Sequence, residues 1–270
     1  MSTGGIIGKI TNPTKGYAVG VWNINDQFLY KKEDLWPSRI PTISTTNLFL
    51  HLDAGYEPSY SGSGTIWSDL SGTNNTGNLV NTPTYTAGVA GNFEFNSASS
   101  QQVTTTNSIT NPTAYTLFVL FKTSTASGRK LIGFEDSQTG SAGNYDRHLY
   151  VDTSGNVRFG IFTGTTVTLI SSITVTDDTW RLVAATYGGE GTTGRLYING
   201  VSDVSRTFTN AGQSMTGWWR IAGNRLSGWT GGSDGTFTGN IAAVGTYSRA
   251  LSNTEILDLY NAYKSYYPGL

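Results

Sequence analysis

Gly239-Asn240-Ile241-Ala242-Ala243-Val244-Gly245-Thr246-Tyr247-Ser248-Arg249-Ala250-Leu251-Ser252-Asn253-Thr254-Glu255-Ile256 reads as a strand, a turn and the start of a helix in direct succession. Its first nine residues are mostly small or apolar, a run that fits a strand packed on a core. Ser252-Asn253-Thr254-Glu255 is a capping box: the Ser252 hydroxyl accepts an orphan N–H of the first turn, and Glu255 reaches back to the cap. Ile256, Leu259, Tyr260 and Tyr263 follow at three- and four-residue spacing and form one apolar stripe. Pro268 closes the chain. The spacing predicts a short helix packed on the outside of a sheet.

Upstream, short β runs recur about every eight to twelve residues, the rhythm of a sandwich or barrel. Trp180–Tyr187 pairs with Arg195–Ile198, and Asn199-Gly200 supplies the two positive-φ residues of a tight turn. His148–Val151 and Val157–Phe162 flank the turn Asp152–Asn156. Tyr115–Lys122 is nearly all apolar, which predicts a strand buried on both faces. Leu48–Asp53 opens the series. Residues 47–270 therefore form one all-β domain, two antiparallel sheets face to face with a short C-terminal helix.

Residues 1–46 differ. They end in Trp36-Pro37-Ser38-Arg39-Ile40-Pro41, whose prolines block helix and central strand and predict an extended connector. The segment carries Tyr17, Trp22, Phe28, Tyr30 and Trp36, more aromatic surface than a solvated tail tolerates. Those rings want a surface, either the sandwich or a partner protein, and docking to a partner is the expectation.

Bulk properties remove several functions. The chain has 270 residues and a net charge of -1, with no clustered basic field to neutralise phosphates, which argues against nucleic-acid binding. Zero cysteines exclude disulfides, thiolate zinc sites and cysteine nucleophiles. Met1–Gly8 has neither the charged nor the apolar region of a signal peptide, and no apolar run is long enough to span a bilayer. Synthesis without an export signal and no membrane insertion are expected.

Two stretches carry a family resemblance. Trp180–Tyr187 followed by Gly194-Arg195-Leu196-Tyr197-Ile198-Asn199-Gly200 resembles the "W…V…Y…G…LYVNG" segment of laminin-G-like and concanavalin A-like domains. The opening stretch, from Gly239 to Ile256, resembles their "G.I..V..Y.RALS..EI" ending and is the more specific, since it orders a strand, a turn and a capped helix. The resemblance covers residues 47–265 and implies a jelly-roll β-sandwich.

Leu52–Gly55, Gly64–Gly72 and Leu79–Tyr85 are similar to versions of this domain common in tailed bacteriophages. Gly20-Val21-Trp22-Asn23 with Trp36-Pro37 is similar to openings of phage structural proteins. What this implies is a non-enzymatic virion component (tail, fibre or head decoration) made in the host cytoplasm. Its partners would be capsid or tail proteins and host-surface glycans. Virion parts are usually symmetric, which implies a homo-oligomer. Two rivals stand beside this reading: a carbohydrate-binding lectin-like module and a glycoside hydrolase.

The residues with chemistry are few. Retaining glycoside hydrolysis needs two carboxylates about 5 Å apart. Glu33, Glu57, Glu94, Glu135, Glu190 and Glu255 lack the Glu-x-Asp-x-x-Glu arrangement of the related glucanases, and the adjacent Glu135 and Asp136 would point to opposite faces of a strand. Gly189–Gly194 matches a dinucleotide fingerprint but joins two strands, so it is a hairpin loop. His51 and His148 are far apart without a nucleophile motif and read as structural. The resemblance places Asp146 where laminin-G-like domains hold calcium, with Asn224 as a second oxygen; the other reading of Asp146 is a solvated loop residue.

Trp218, Trp219 and Trp229 lie in a Gly-rich region. Neighbouring tryptophans on a strand face opposite ways, so one enters the core. The other, with Trp229, offers a platform for a sugar ring, and Asn224, Arg225 and Asp234 offer hydrogen bonds. Trp219, Trp229, Asn224, Arg225 and Asp234 are thus the candidate carbohydrate site; local packing or a subunit contact is the competing role for the indoles.

Overall fold

A computed structural model describes residues 42–270. Tyr17, Trp22, Phe28, Tyr30 and Trp36 lie outside the described residues. Nineteen strands occur among those described: β1 (Leu48–Asp53), β2 (Ile66–Trp67), β3 (Gly77–Val80), β4 (Thr84–Thr86), β5 (Asn92–Phe95), β6 (Gln102–Thr105), β7 (Ile109–Thr110), β8 (Tyr115–Lys122), β9 (Arg129–Glu135), β10 (Tyr145–Val151), β11 (Asn156–Phe162), β12 (Thr166–Thr174), β13 (Arg181–Tyr187), β14 (Thr193–Ile198), β15 (Val201–Thr207), β16 (Thr216–Ile221), β17 (Gly223–Asn224), β18 (Gly235–Thr236) and β19 (Gly239–Tyr247). One α-helix, α1 (Asn253–Lys264), follows.

The strands form an eight-stranded sheet, β15-β14-β13-β8-β19-β5-β4 with β1 on β19, and a nine-stranded sheet, β12-β11-β10-β9-β16-β6-β3-β2 with β7 on β16. Strands β17 and β18 make a separate ribbon. Every pairing is antiparallel, as the two-sheet expectation required.

Strand β8 shows how the layers are built. Its residues alternate between two apolar clusters: Tyr115, Leu117, Val119 and Phe121 enter the core between the sheets, facing Ile132, Phe134, Leu149 and Phe159 of the opposite layer. Phe118 and Leu120 point the other way, into a second cluster with Leu182, Ala184 and Tyr197. Helix α1 covers that outer cluster with Ile256, Leu259 and Tyr263. Burying each of these side chains contributes roughly 1.5–3 kcal/mol, which fixes the helix to the sheet.

The capping box forms as expected: Ser252 Oγ accepts from Glu255 N, and Glu255 Oε2 accepts from Ser252 N at 2.9 Å. His51 Nε2 and Tyr263 Oη are 2.9 Å apart, tying the helix to β1, so this histidine is structural. Asn199 and Gly200 have φ of 50° and 80°, as their tight turn demands. The segment before β1 is attached to the sandwich, since Tyr247 Oη donates to Ser44 O and Arg249 Nε to Thr46 O. No helix among the described residues is long and apolar enough to cross a membrane.

Candidate functional site

The outer face of the nine-stranded sheet is covered differently. Strand alternation sends Trp219 and Ile221 of β16 inward and Arg220 outward. Beside Arg220 lie Lys130 and Glu135 of β9 and His148 of β10, all with 0 % exposure. Lys130 Nζ and Arg225 N bond to Glu135 Oε1, and Arg220 Nη1 pairs with Glu135 Oε2 at 3.0 Å. Arg220 also donates to Gly140 O at 2.7 Å and Gln102 Oε1 at 2.5 Å. One carboxylate thus anchors two buried cations. Burial holds the Lys130 ammonium below its ordinary pKa, against the opposing pull of Glu135.

Residues 225–234 form the lid over this layer. Leu226 and Trp229 pack on Tyr150. The Trp229 ring meets His148 edge-on at 4.6 Å. Two glycines make room. A Cβ on Gly160 would lie 2.5 Å from Trp229 Cζ3, and one on Gly133 would lie 2.1 Å from His148 Nδ1. Asp234 shapes the lid by accepting Leu226 N and Ser227 N, both at 2.7 Å. His148 carries no side-chain hydrogen bond, and burial, reinforced by Lys130 and Arg147, holds its pKa well below the usual imidazole value.

At the lid's edge the chain gathers polar groups around one aromatic ring. The Arg225 guanidinium lies 5.1 Å from the centroid of Tyr145, whose hydroxyl donates to Ser227 O at 2.8 Å. Arg225 also approaches Asp234 Oδ2 at 3.5 Å and donates to Ser141 Oγ at 3.1 Å. Asn224 Nδ2 donates to Gly140 O. Asn224, Arg225 and Asp234, expected to share a site, do share this edge.

The expected indole platform is corrected. Trp219 is 1 % exposed within the core, and Trp229 is 4 % exposed under the lid, so neither offers a face to a ligand. The Gly-rich surroundings, read as a loop displaying Trp229, instead leave the space into which it folds. Opposite orientation of the tryptophan pair does hold: Trp218 is half-buried.

Asp146 also differs from both readings given to it. It lies in β10, is 0 % exposed and is no solvated loop residue. Its carboxylate accepts from the backbone N–H of Arg147 (2.6 Å), Phe162 (2.6 Å) and Gln213 (2.8 Å), and from Arg147 Nη1 (2.9 Å). Calcium recruits oxygens, whereas this shell is made of N–H donors. Asn224 is bound to Gly140 instead. Among the described residues no cluster of three or more His, Asp or Glu side chains is placed to hold a metal.

Sequence reasoning missed the buried set Lys130, Glu135, Arg220 and His148. It also missed Arg147 with Asn111, whose Oδ1 accepts from Arg147 Nη2 at 3.2 Å. Single charged residues in strands give no local signal of burial; their partners lie elsewhere in the sequence.

Two antiparallel sheets face to face, with a helix on one outer face and a loop lid on the other, define a jelly-roll sandwich of the laminin-G-like kind. The chain belongs to the Concanavalin A-like lectin/glucanases superfamily, whose profile matches residues 96–257. A comparison with curated proteins gives no match. Similar solved structures include the binding domain of Paraclostridial Mosquitocidal Protein 1 (TM-score 0.59, 16% identity, covering 80% of this chain and 52% of that one). The Botulinum Neurotoxin serotype G binding domain gives 0.60 and 15% (81% and 52%), and Trypanosoma rangeli sialidase 0.55 and 15% (81% and 33%). The chain thus spans about half, or a third, of those chains, and the likeness is one of fold.

Proposed function

We propose that this protein is a non-enzymatic structural component of a tailed-phage virion, docked through its N-terminal segment and displaying the sandwich to bind protein or host-surface glycans. One observation carries the binding half of this reading: the buried carboxylates are engaged by their own chain. Glu135 is held by Lys130 and Arg220, Asp146 by Arg147 and three backbone N–H groups, and Asp152 by Arg158 at 2.6 Å with Ser154 N and Asn156 N. A glycosidase needs one carboxyl group that exchanges a proton and a second that attacks or activates water. Acids paired with cations and N–H donors of their own chain are poorly suited to either task. Two of the similar structures are, by name, binding domains, which agrees with a surface that recognises its ligand and leaves it intact. The virion half rests on the phage-like motifs at Leu52–Tyr85 and Gly20–Pro37.

The test is electron microscopy of the intact particle, paired with deletion of residues 1–41. That deletion spares Ser44 and Thr46, which bond to the sandwich. The expected result is a folded sandwich that no longer incorporates; retained incorporation overturns the docking role.

A further inference from the structure

Strand β12 ends the nine-stranded sheet, and the register of its neighbour decides which of its backbone groups stay open. On β11, Asn156 O accepts from Asp152 N and Phe162 N donates to Asp146, so the even-numbered residues bond toward β10. The odd-numbered ones therefore bond toward β12, where Phe159 and Ile161 face Leu169 and Val167. Thr166, Thr168 and Ile170 direct their N–H and C=O groups away from the sheet. Among the described residues no strand pairs with them.

The sandwich protects its other sheet ends. Strands β2 and β4 are only two and three residues long, and β15 carries Asp203 and Arg206. Short length and charge both discourage a foreign strand from adding to an edge. Strand β12 has neither protection: it is nine residues long, and no charged residue occurs from Phe159 to Thr176. Asp203 caps a single outward group, Ser172 N at 2.8 Å, which laces β12 and β15 into one flank. Ile170, Ile173 and Val201 stand exposed on these two strands.

The composition of the edge selects its occupant. A strand that meets its own copy about a two-fold axis must face its own sequence, so any charge near the axis meets a like charge. Here none does. Centred on Thr168, antiparallel self-pairing sets Thr168 against itself and Thr166 against Ile170, which are favourable cross-strand pairs. Arg158 on the adjacent strand is neutralised by Asp152 at 2.6 Å, and a net charge of -1 leaves little repulsion between whole chains. We infer that β12 pairs antiparallel with β12 of a second copy about a two-fold axis at Thr168, joining two nine-stranded sheets into one. One strand edge with its apolar flank lies at the small end of specific interfaces, below about 1,200 Å², so the dimer dissociates on dilution. Such a dimer requires neither the virion nor the glycan reading.

Sedimentation velocity of the full chain over a wide concentration range tests the dimer, and single thiols test its register. The chain has no cysteine, so each substitution introduces one thiol on a clean background. Facing Cα atoms in a bonded antiparallel pair are about 5.5 Å apart, a separation that suits a disulfide. Thr168→Cys should therefore give a covalent dimer on oxidation. Ile170→Cys should not, although Ile170 is the more exposed, because the two copies of that residue lie about 13 Å apart along the strands. Thr166→Lys with Ile170→Lys sets like charges opposite each other and should weaken the dimer at least about tenfold. Thr166→Glu with Ile170→Lys sets opposite charges there and should restore it, a recovery that a misfolded variant would not show. A dimer unmoved by these charges, or one cross-linked through Ile170→Cys in preference to Thr168→Cys, overturns the inference. A monomer at every concentration overturns it too and leaves the edge to a strand of another protein.

Discussion

The two sheets bury their outer faces by opposite means. On the eight-stranded sheet, helix α1 lays Ile256, Leu259 and Tyr263 on Phe118, Leu120 and Tyr197, a contact that depends on apolar area. On the nine-stranded sheet, the 225–234 lid closes over Lys130, Glu135, Arg220 and His148, a layer that depends on charge pairing. The first cover tolerates a change of one side chain in proportion to the volume lost. The second does not, because each ion is buried on the condition that its partner stays.

Three perturbations sharpen that contrast. Glu135→Ala leaves Lys130 and Arg220 buried without their counter-charge, and a broken buried pair costs about 3–5 kcal/mol. Chemical denaturation should show that loss, and Glu135→Gln should recover little of it. A loss under 1 kcal/mol, by about the value of an exposed pair, would mean that water reaches the layer.

Ile256→Ala removes apolar volume from the helix contact, for an expected loss of about 2–4 kcal/mol. That loss should be the same at pH 5 and pH 8, since the helix contact is chiefly apolar.

The third effect is smaller and separates the faces by pH. His148 is held neutral in the folded state, with its pKa below the value near 6.5 that the unfolded chain shows. As pH falls below 6.5 the unfolded state gains a proton that the folded state does not, so stability falls by up to about 1.4 kcal/mol per pH unit. His148→Gln should flatten the thermal-melting profile between pH 6.5 and 5. A profile of unchanged slope would place the charging elsewhere. At lower pH a separate loss is expected at the helix: Arg249 and the Ser252 cap hold Glu255 at a pKa of about 2, so its contribution is present above about 4.5 and fades on acidification toward 2.

The same contrast explains what could be read from residues alone. Strand β8, the Asn199-Gly200 turn and the capped helix are set by local patterns: period two, positive φ, period 3.6. Each was legible with its bounds nearly intact. The charged layer was not, because Lys130 and Arg220 are ninety residues apart and each alone looks like a surface cation. Trp229 misled for a related reason. A tryptophan among glycines reads as displayed, and only the register of β11 shows that Gly160 makes the hollow into which it folds. Asp146 and Arg147 form a pair between sequence neighbours inside β10, where the sequence reading had Asp146 as a calcium ligand or a solvated loop residue. The positive φ of Arg147 turns its guanidinium back to Asp146.

The proposed function requires a sandwich that recognises ligands without cleaving bonds. The most direct measurement incubates the full chain with a library of host-surface oligosaccharides and follows both retention and mass. The prediction is retention of intact oligosaccharides, with no mass change over hours. Release of shortened sugars would contradict it.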